Sequence, residues 1–218
     1  MFTSLGDYVK GNEYLEKALA IAIEIGDREG EGSRYGNLGT VFRSLGDYVK
    51  ANEYLEKALA IAIEIGDREG EGAQYEKLGT LFISLGDYVK ANEYLQKALA
   101  IAIKIGDRVK EAYFRLNLGG VLLCLGIKYA EANKHFTKAL LIATETGERA
   151  CETTCFIRLG DLCVRLGDYV KAKEYYEKAL AISMQIGNRI IEAAIYDSLG
   201  GLCIDLDEYV KADRKSVV

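Results

Sequence analysis

A forty-residue period runs through the whole chain and decides the class of fold before composition is consulted. Residues 4–32 read SLGDYVKGNEYLEKALAIAIEIGDREGEG, and residues 44–72 repeat that string with Gly11 replaced by Ala51. The copy over residues 84–112 differs from its predecessor at five of 29 positions: Gln96, Lys104, Val109, Lys110 and Ala112. A fourth copy follows Leu125 with one extra residue and a fifth follows Leu166. A sixth begins at Leu206 and loses the pattern after Asp213. Units this short cannot bury an apolar face alone, so they must stack on one another.

Each unit carries two glycine marks about twenty residues apart, Gly46-Asp47 and Gly66-Asp67, then Gly86-Asp87 and Gly106-Asp107. Glycine suits the left-handed residue that ends a helix, and the aspartate can cap the next helix by accepting from its free N–H groups. Between the marks, apolar residues recur at i, i+3, i+4 and i+7. Tyr35, Leu38, Phe42 and Leu45 mark a first helix, and Ala51, Tyr54, Leu55, Ala58, Leu59 and Ala62 a second. The predicted fold is therefore all-α and built of helix pairs, with nothing reading as a strand. The expected organisation is one array: a partial unit over residues 1–26, full units over 27–66, 67–106, 107–147 and 148–187, and a partial unit over 188–218.

The 23 glycines and the absence of proline belong to this punctuation, since fifteen glycines fall in three repeat registers. The third register, Gly39, Gly79, Gly119, Gly160 and Gly200, lies inside the first helix, where each glycine costs about 1 kcal/mol relative to alanine. Close approach of the second helix through Ala51 and Ala58 is the expected reason. Gly30, Gly32, Gly36, Gly70 and Gly72 stand outside these registers, and they predict that the first helices of the second and third units are the weakest.

The order Leu38-Gly39, Phe42, Leu45-Gly46, Tyr48, Ala51, Leu55, Ala58 resembles the tetratricopeptide repeat. The forty-residue unit, and Ile63 near the place where proline commonly ends the second helix, resemble the longer-repeat subgroup of the Pins/LGN G-protein-signalling modulators. There, runs like NLG…LGDY and ALAIAxxIGDR recur. The resemblance implies a right-handed α-α superhelix (TPR solenoid) whose first helices line a concave groove for an extended or helical peptide. The function it implies is a non-catalytic protein-interaction scaffold. The alternative is a structural spacer or regulatory segment of a larger signalling or enzyme-bearing protein.

On a helical wheel, the first-helix face opposite Leu38, Phe42 and Leu45 carries Asn37, Thr40 and Arg43. The same registers give Glu76, Lys77 and Thr80, then Tyr113, Leu116, Asn117 and Leu123, then Arg158, Asp161 and Arg165, and finally Asp197 and Asp205. This mixture predicts a ligand with acidic residues around a small apolar anchor at Tyr113, Leu116 and Leu123, its basic end toward Asp197 and Asp205. The Lys and Asn pair that clamps a terminal carboxylate in chaperone-binding members is missing, because its registers hold Gly36 with Thr40 and Glu76 with Thr80. Asn37 and Asn117 match the Asn of the NLG motif, whereas Lys77, Arg158 and Ser198 depart from it.

Catalysis is not expected. The chain has one histidine, His135, at the register of Tyr54, where it reads as an aromatic substitute. Cys163 and Cys203 stand at the register of Phe42, and Cys151 with Cys155 offers two thiols where a structural zinc needs four ligands. No cofactor or metal is expected. With 28 basic and 33 acidic residues interspersed, the net charge of −5 argues against nucleic acid and anionic membranes as partners. Residues 1–7 lack a signal-peptide pattern, so the expected compartment is the cytoplasm.

Neither end shows a polar cap. A fragment of a longer array is expected, with self-association through the bare N-terminal end as the competing outcome. The terminal Ser216-Val217-Val218 fits a PDZ-ligand pattern, which a truncated reading frame would also explain.

Overall fold

The computed structural model describes the backbone of residues 2–126 and 128–216, and the side chains of residues 11–126 and 128–204. Those residues form ten α-helices and no strand. They fall into two compact units, Met1–Asp107 and Arg108–Val218. The first holds α1 (Phe2–Glu24), α2 (Arg28–Ser44), α3 (Tyr48–Glu64), α4 (Arg68–Ser84) and α5 (Tyr88–Ile105). The second holds α6 (Arg108–Cys124), α7 (Tyr129–Thr146), α8 (Arg149–Arg165), α9 (Tyr169–Gln185) and α10 (Arg189–Ser216). Inside each unit every helix packs on its neighbours in the chain, and the first helices also touch directly, α2 on α4 and α6 on α8.

The glycine marks end helices as their sequence requires. Gly26, Gly46, Gly66, Gly86, Gly106, Gly126, Gly147, Gly167 and Gly187 all have φ between +69° and +80°. The following aspartates cap the next helix, with Asp27 and Asp67 accepting from Gly30 N and Gly70 N at 2.8 Å and Asp47 and Asp87 from Lys50 N and Lys90 N at 3.1 Å. Two further marks do not turn. α1 runs straight through Gly6-Asp7, and α10 runs through position 207, where Asp207 replaces the glycine. An L-residue resists the left-handed conformation, which accounts for the second case. In the first, no helix precedes Gly6 among the described residues to fix a reversal.

The glycines inside the first helices lie under large side chains of the second helix, and the approach through Ala51 is seen as well, with Ala51 O 3.1 Å from a Cβ on Gly39 and Ala91 O 3.5 Å from one on Gly79. A Cβ on Gly39 would sit 2.6 Å from Leu55 Cγ, on Gly79 2.7 Å from Leu95 Cγ, on Gly119 2.4 Å from the Phe136 ring and on Gly160 2.6 Å from the Tyr176 ring. Leu55, Leu95 and Phe136 are fully buried, so each crossing is a knob over a glycine. The irregular glycines are packing requirements too. A Cβ on Gly30 or Gly70 would collide with the capping Asp27 or Asp67, and one on Gly32 or Gly72 would press Ile61 at 3.0 Å or Ile101 at 3.2 Å.

Packed rings close the other edge of three of the pairs, α2–α3, α4–α5 and α8–α9. Tyr54 lies 5.9 Å from Tyr35 and 5.3 Å from Phe42, with Lys57 Nζ 5.5 Å over both tyrosine rings. Tyr75, Phe82, Tyr94 and Lys97 repeat it, as do Phe156, Tyr175 and Lys178. At the helix ends, Arg28 holds Glu31 at 2.6 Å and also Glu64, while Arg108 holds Glu111 at 2.8 Å and Glu145 at 2.9 Å.

Candidate functional site

The face expected to bind peptide takes a different character in each unit. In the first it lies on α2 and α4. Asn37 is exposed, while Thr40, Arg43, Glu76, Lys77 and Thr80 are half-buried. The two threonine hydroxyls donate to their own helix, Thr40 to Gly36 O and Thr80 to Glu76 O, both at 3.0 Å. Burial pushes the Glu76 carboxyl up, opposed by Lys77 and Arg43, and burial pushes the Lys77 ammonium down, opposed by Glu76.

Gln74 is the residue that wheel reasoning missed. It is buried on α4, its Oε1 has no hydrogen-bond partner, and with Lys77 it reaches across α2 at Gly36. A Cβ on Gly36 would stand 2.7 Å from Gln74 Oε1 and 2.9 Å from Lys77 Nζ, so the ends of both side chains lie in the space that glycine leaves open. The signal in the sequence was the odd Gly36, which has no meaning until α2 and α4 are seen side by side.

In the second unit the expected apolar anchor is corrected. Leu116 and Leu123 are buried in the unit's own core with Ala112, Phe136, Cys151, Cys155 and Leu159, because α6 packs on α8 as well as on α7. Tyr113 alone of that trio is exposed, and its hydroxyl is pushed up chiefly by desolvation, with Cys151 and Glu148 adding to it. Asn117 is half-buried. Asp161 accepts from Tyr176 Oη at 2.8 Å and pairs with Arg158 at 3.3 Å, so Arg158 is partly neutralised within its own helix. Arg165 and Asp197 are exposed on α8 and α10. The side chain of Asp205 and the Ser216-Val217-Val218 terminus lie outside the described residues.

Burial and near neighbours set the titratable groups elsewhere. His135 is half-buried beside Arg115, its Nδ1 is unpartnered, and burial followed by Arg115 holds it below the ordinary imidazole value. The neighbouring Cys151 and burial push the Cys155 thiol up, the hydrogen bond with Cys155 draws the Cys151 thiol down against burial, and burial pushes Cys163 up. Among the described residues no group of three or more His, Cys, Asp and Glu side chains is placed to hold a metal ion. No helix among them is long and apolar enough to cross a membrane.

Comparison with known proteins agrees with this architecture. The sequence pattern of the tetratricopeptide repeat matches residues 1–64, 45–104, 111–185 and 155–214. No curated protein matches the chain. Among solved structures, BtubC (BKLC) from P. vanneervenii is similar with a TM-score of 0.74 at 21 % identity, over 95 % of this chain and 92 % of that one. The apo form of RapI gives a TM-score of 0.80 at 18 % identity, over 95 % of this chain and 78 % of that one. Both likenesses show the fold alone. A signal transduction ATPase with numerous domains from Pyrococcus horikoshii, which has a tetratricopeptide repeat sensor, gives 0.78 at 25 % identity. This similarity covers 88 % of the present chain and 29 % of the ATPase.

Proposed function

Because the chain belongs to the tetratricopeptide repeat family, we propose that it is a non-catalytic, cytoplasmic interaction scaffold that holds a peptide segment of a protein partner on its first-helix faces. The observation that carries this reading is the pair over Gly36. A buried carboxamide oxygen without a donor is left wanting one, and a half-buried lysine lies beside it. A peptide supplies a backbone N–H for Gln74 Oε1 and an acidic side chain for Lys77 and Arg43. Tyr113 offers a small apolar contact on the second unit, whose Asp197 suits a basic residue. The interspersed charges and net −5 favour a protein partner over nucleic acid or an anionic membrane. The forty-residue units, with Asn37 and Asn117 in the NLG motif, support kinship with the Pins/LGN subgroup.

The test is selection of peptides from a random display library against the chain, followed by titration of the best binder. Lys77→Glu with Arg43→Glu should weaken an acidic binder at least about tenfold, the equivalent of about 1.4 kcal/mol. Unchanged affinity would place the interface on another face. A second reading, a sensor or spacer segment of a larger signalling protein, draws on the likeness to the ATPase that bears a repeat sensor.

A further inference from the structure

The pair α6–α7 departs from the ring packing of the other three. In those pairs a first-helix ring, Tyr35, Tyr75 or Phe156, meets the second-helix Tyr54, Tyr94 or Tyr175, and one lysine lies over both. The same three registers of α6–α7 hold Arg115, His135 and Lys138. Lys134 stands where Glu53, Glu93 and Glu174 stand, and Thr137 where Glu56 and Glu177 stand. This edge has exchanged rings and carboxylates for cations.

Arg115 is fixed in place before any ligand arrives. Its side chain is 15 % exposed, and its Nε donates to Glu111 at 2.8 Å while Arg108 holds the same buried carboxylate at 2.8 Å. Both Nη groups are left to an incoming acceptor. His135 is half-buried beside Arg115, with its Nδ1 enclosed and unpartnered. The charges around them do not cancel. Glu111 and Glu145 match Arg108 and Arg115, and Glu131 matches Lys128 at 3.4 Å. Among the described residues, Lys134 and Lys138 have no carboxylate partner, so two ammonium groups stand unbalanced in a chain of net charge −5.

We propose that the α6–α7 edge binds a phosphate monoester between Arg115, His135 and Lys138, with Lys134 adding charge at the rim. The internal pairs show the reach. Lys57 sets its Nζ 5.5 Å over the two ring positions that correspond to Arg115 and His135, and Lys138 has the same register on its helix. A phosphate monoester carries about −1.5 to −2 at pH 7 and three acceptor oxygens, which matches two unbalanced ammonium groups and a guanidinium fork. A carboxylate brings about half that charge and one oxygen fewer. The site lies on the ring edge of the pair, away from the first-helix faces, and does not depend on the peptide reading.

His135 is the sole histidine, so the proton resonance of its imidazole C2 position reports the site directly in the 218-residue chain. The test is titration of that resonance at fixed pH with a phosphoserine peptide, with adenosine monophosphate and with inorganic phosphate, against chloride at matched ionic strength. The phosphate ligands should shift it saturably and chloride should not. Lys134→Glu with Lys138→Gln, both at exposed positions, should weaken binding at least about tenfold with the melting temperature unchanged. Lys97→Gln, in the register of Lys138 on α5, should leave binding unchanged, and so should the Lys77→Glu with Arg43→Glu pair that tests the peptide reading. Tighter binding of the peptide than of the nucleotide would support the proposal and assign the phosphate to a protein partner; the reverse order would support it and assign a small phosphorylated molecule. A shift no larger with phosphate ligands than with chloride would overturn it. So would a double variant that binds like the parent, or Lys97→Gln weakening binding as much as the double variant does.

Discussion

His135 shows how one substitution changes the chemistry of a repeated position. Tyr54, Tyr94 and Tyr175 fill the same register and stack on a first-helix ring. Opposite His135 stands Arg115, held by Glu111 at 2.8 Å, with Glu131 on its own helix the nearest compensating charge. Burial first and Arg115 second disfavour the charged imidazole in the folded chain, so its folded value lies below that of the unfolded chain. As pH falls below the ordinary imidazole value of about 6.5, the unfolded chain takes up a proton more readily than the folded chain, and stability is lost. His135→Tyr should remove this acid-side loss, raise the melting temperature and place a ring face against Arg115. The check is the difference in melting temperature between pH 7.5 and 5.5, which should shrink by about 2 °C in the variant relative to the parent. An unchanged difference would show that His135 titrates alike in both states.

At the scale of helices, the pair is the unit of stability and the knob over the glycine is its tightest point. Gly79→Leu forces a side chain into space held by Leu95 and should destabilise by at least about 1–3 kcal/mol, measured by chemical denaturation. Gly200→Ala, on a face with nothing above it, should stabilise by roughly 0.5–1 kcal/mol by restoring helix propensity. Helices, turns and caps were legible in the sequence because they depend on residues within a few positions of one another, and Gly46-Asp47 carries its own instruction. The partner of Gly39 was legible only in part. A wheel says which residues share a face but not where two axes cross, and the crossing takes in Leu55 beside the expected Ala51. The candidate site suffered the same way. Leu116 and Leu123 sit on the expected face, but α8 covers them, and Gln74 entered only when Gly36 was seen as the gap it reaches across.

Over the whole molecule, each repeat owes its stability to its neighbours, so helices with one neighbour should open before helices with two. In the first unit α1 packs chiefly on α2, whereas α2, α3 and α4 are each flanked on both sides. In the second, α10 packs chiefly on α9, whereas α7, α8 and α9 are flanked on both sides. Backbone amides of α1 and α10 should therefore exchange at least about tenfold faster than those of α3 and α8 in dilute solution, about 1.4 kcal/mol less opening free energy. Hydrogen-exchange mass spectrometry reads this directly. Equal exchange across all helices in dilute solution would mean that neighbours do not govern the stability of this array.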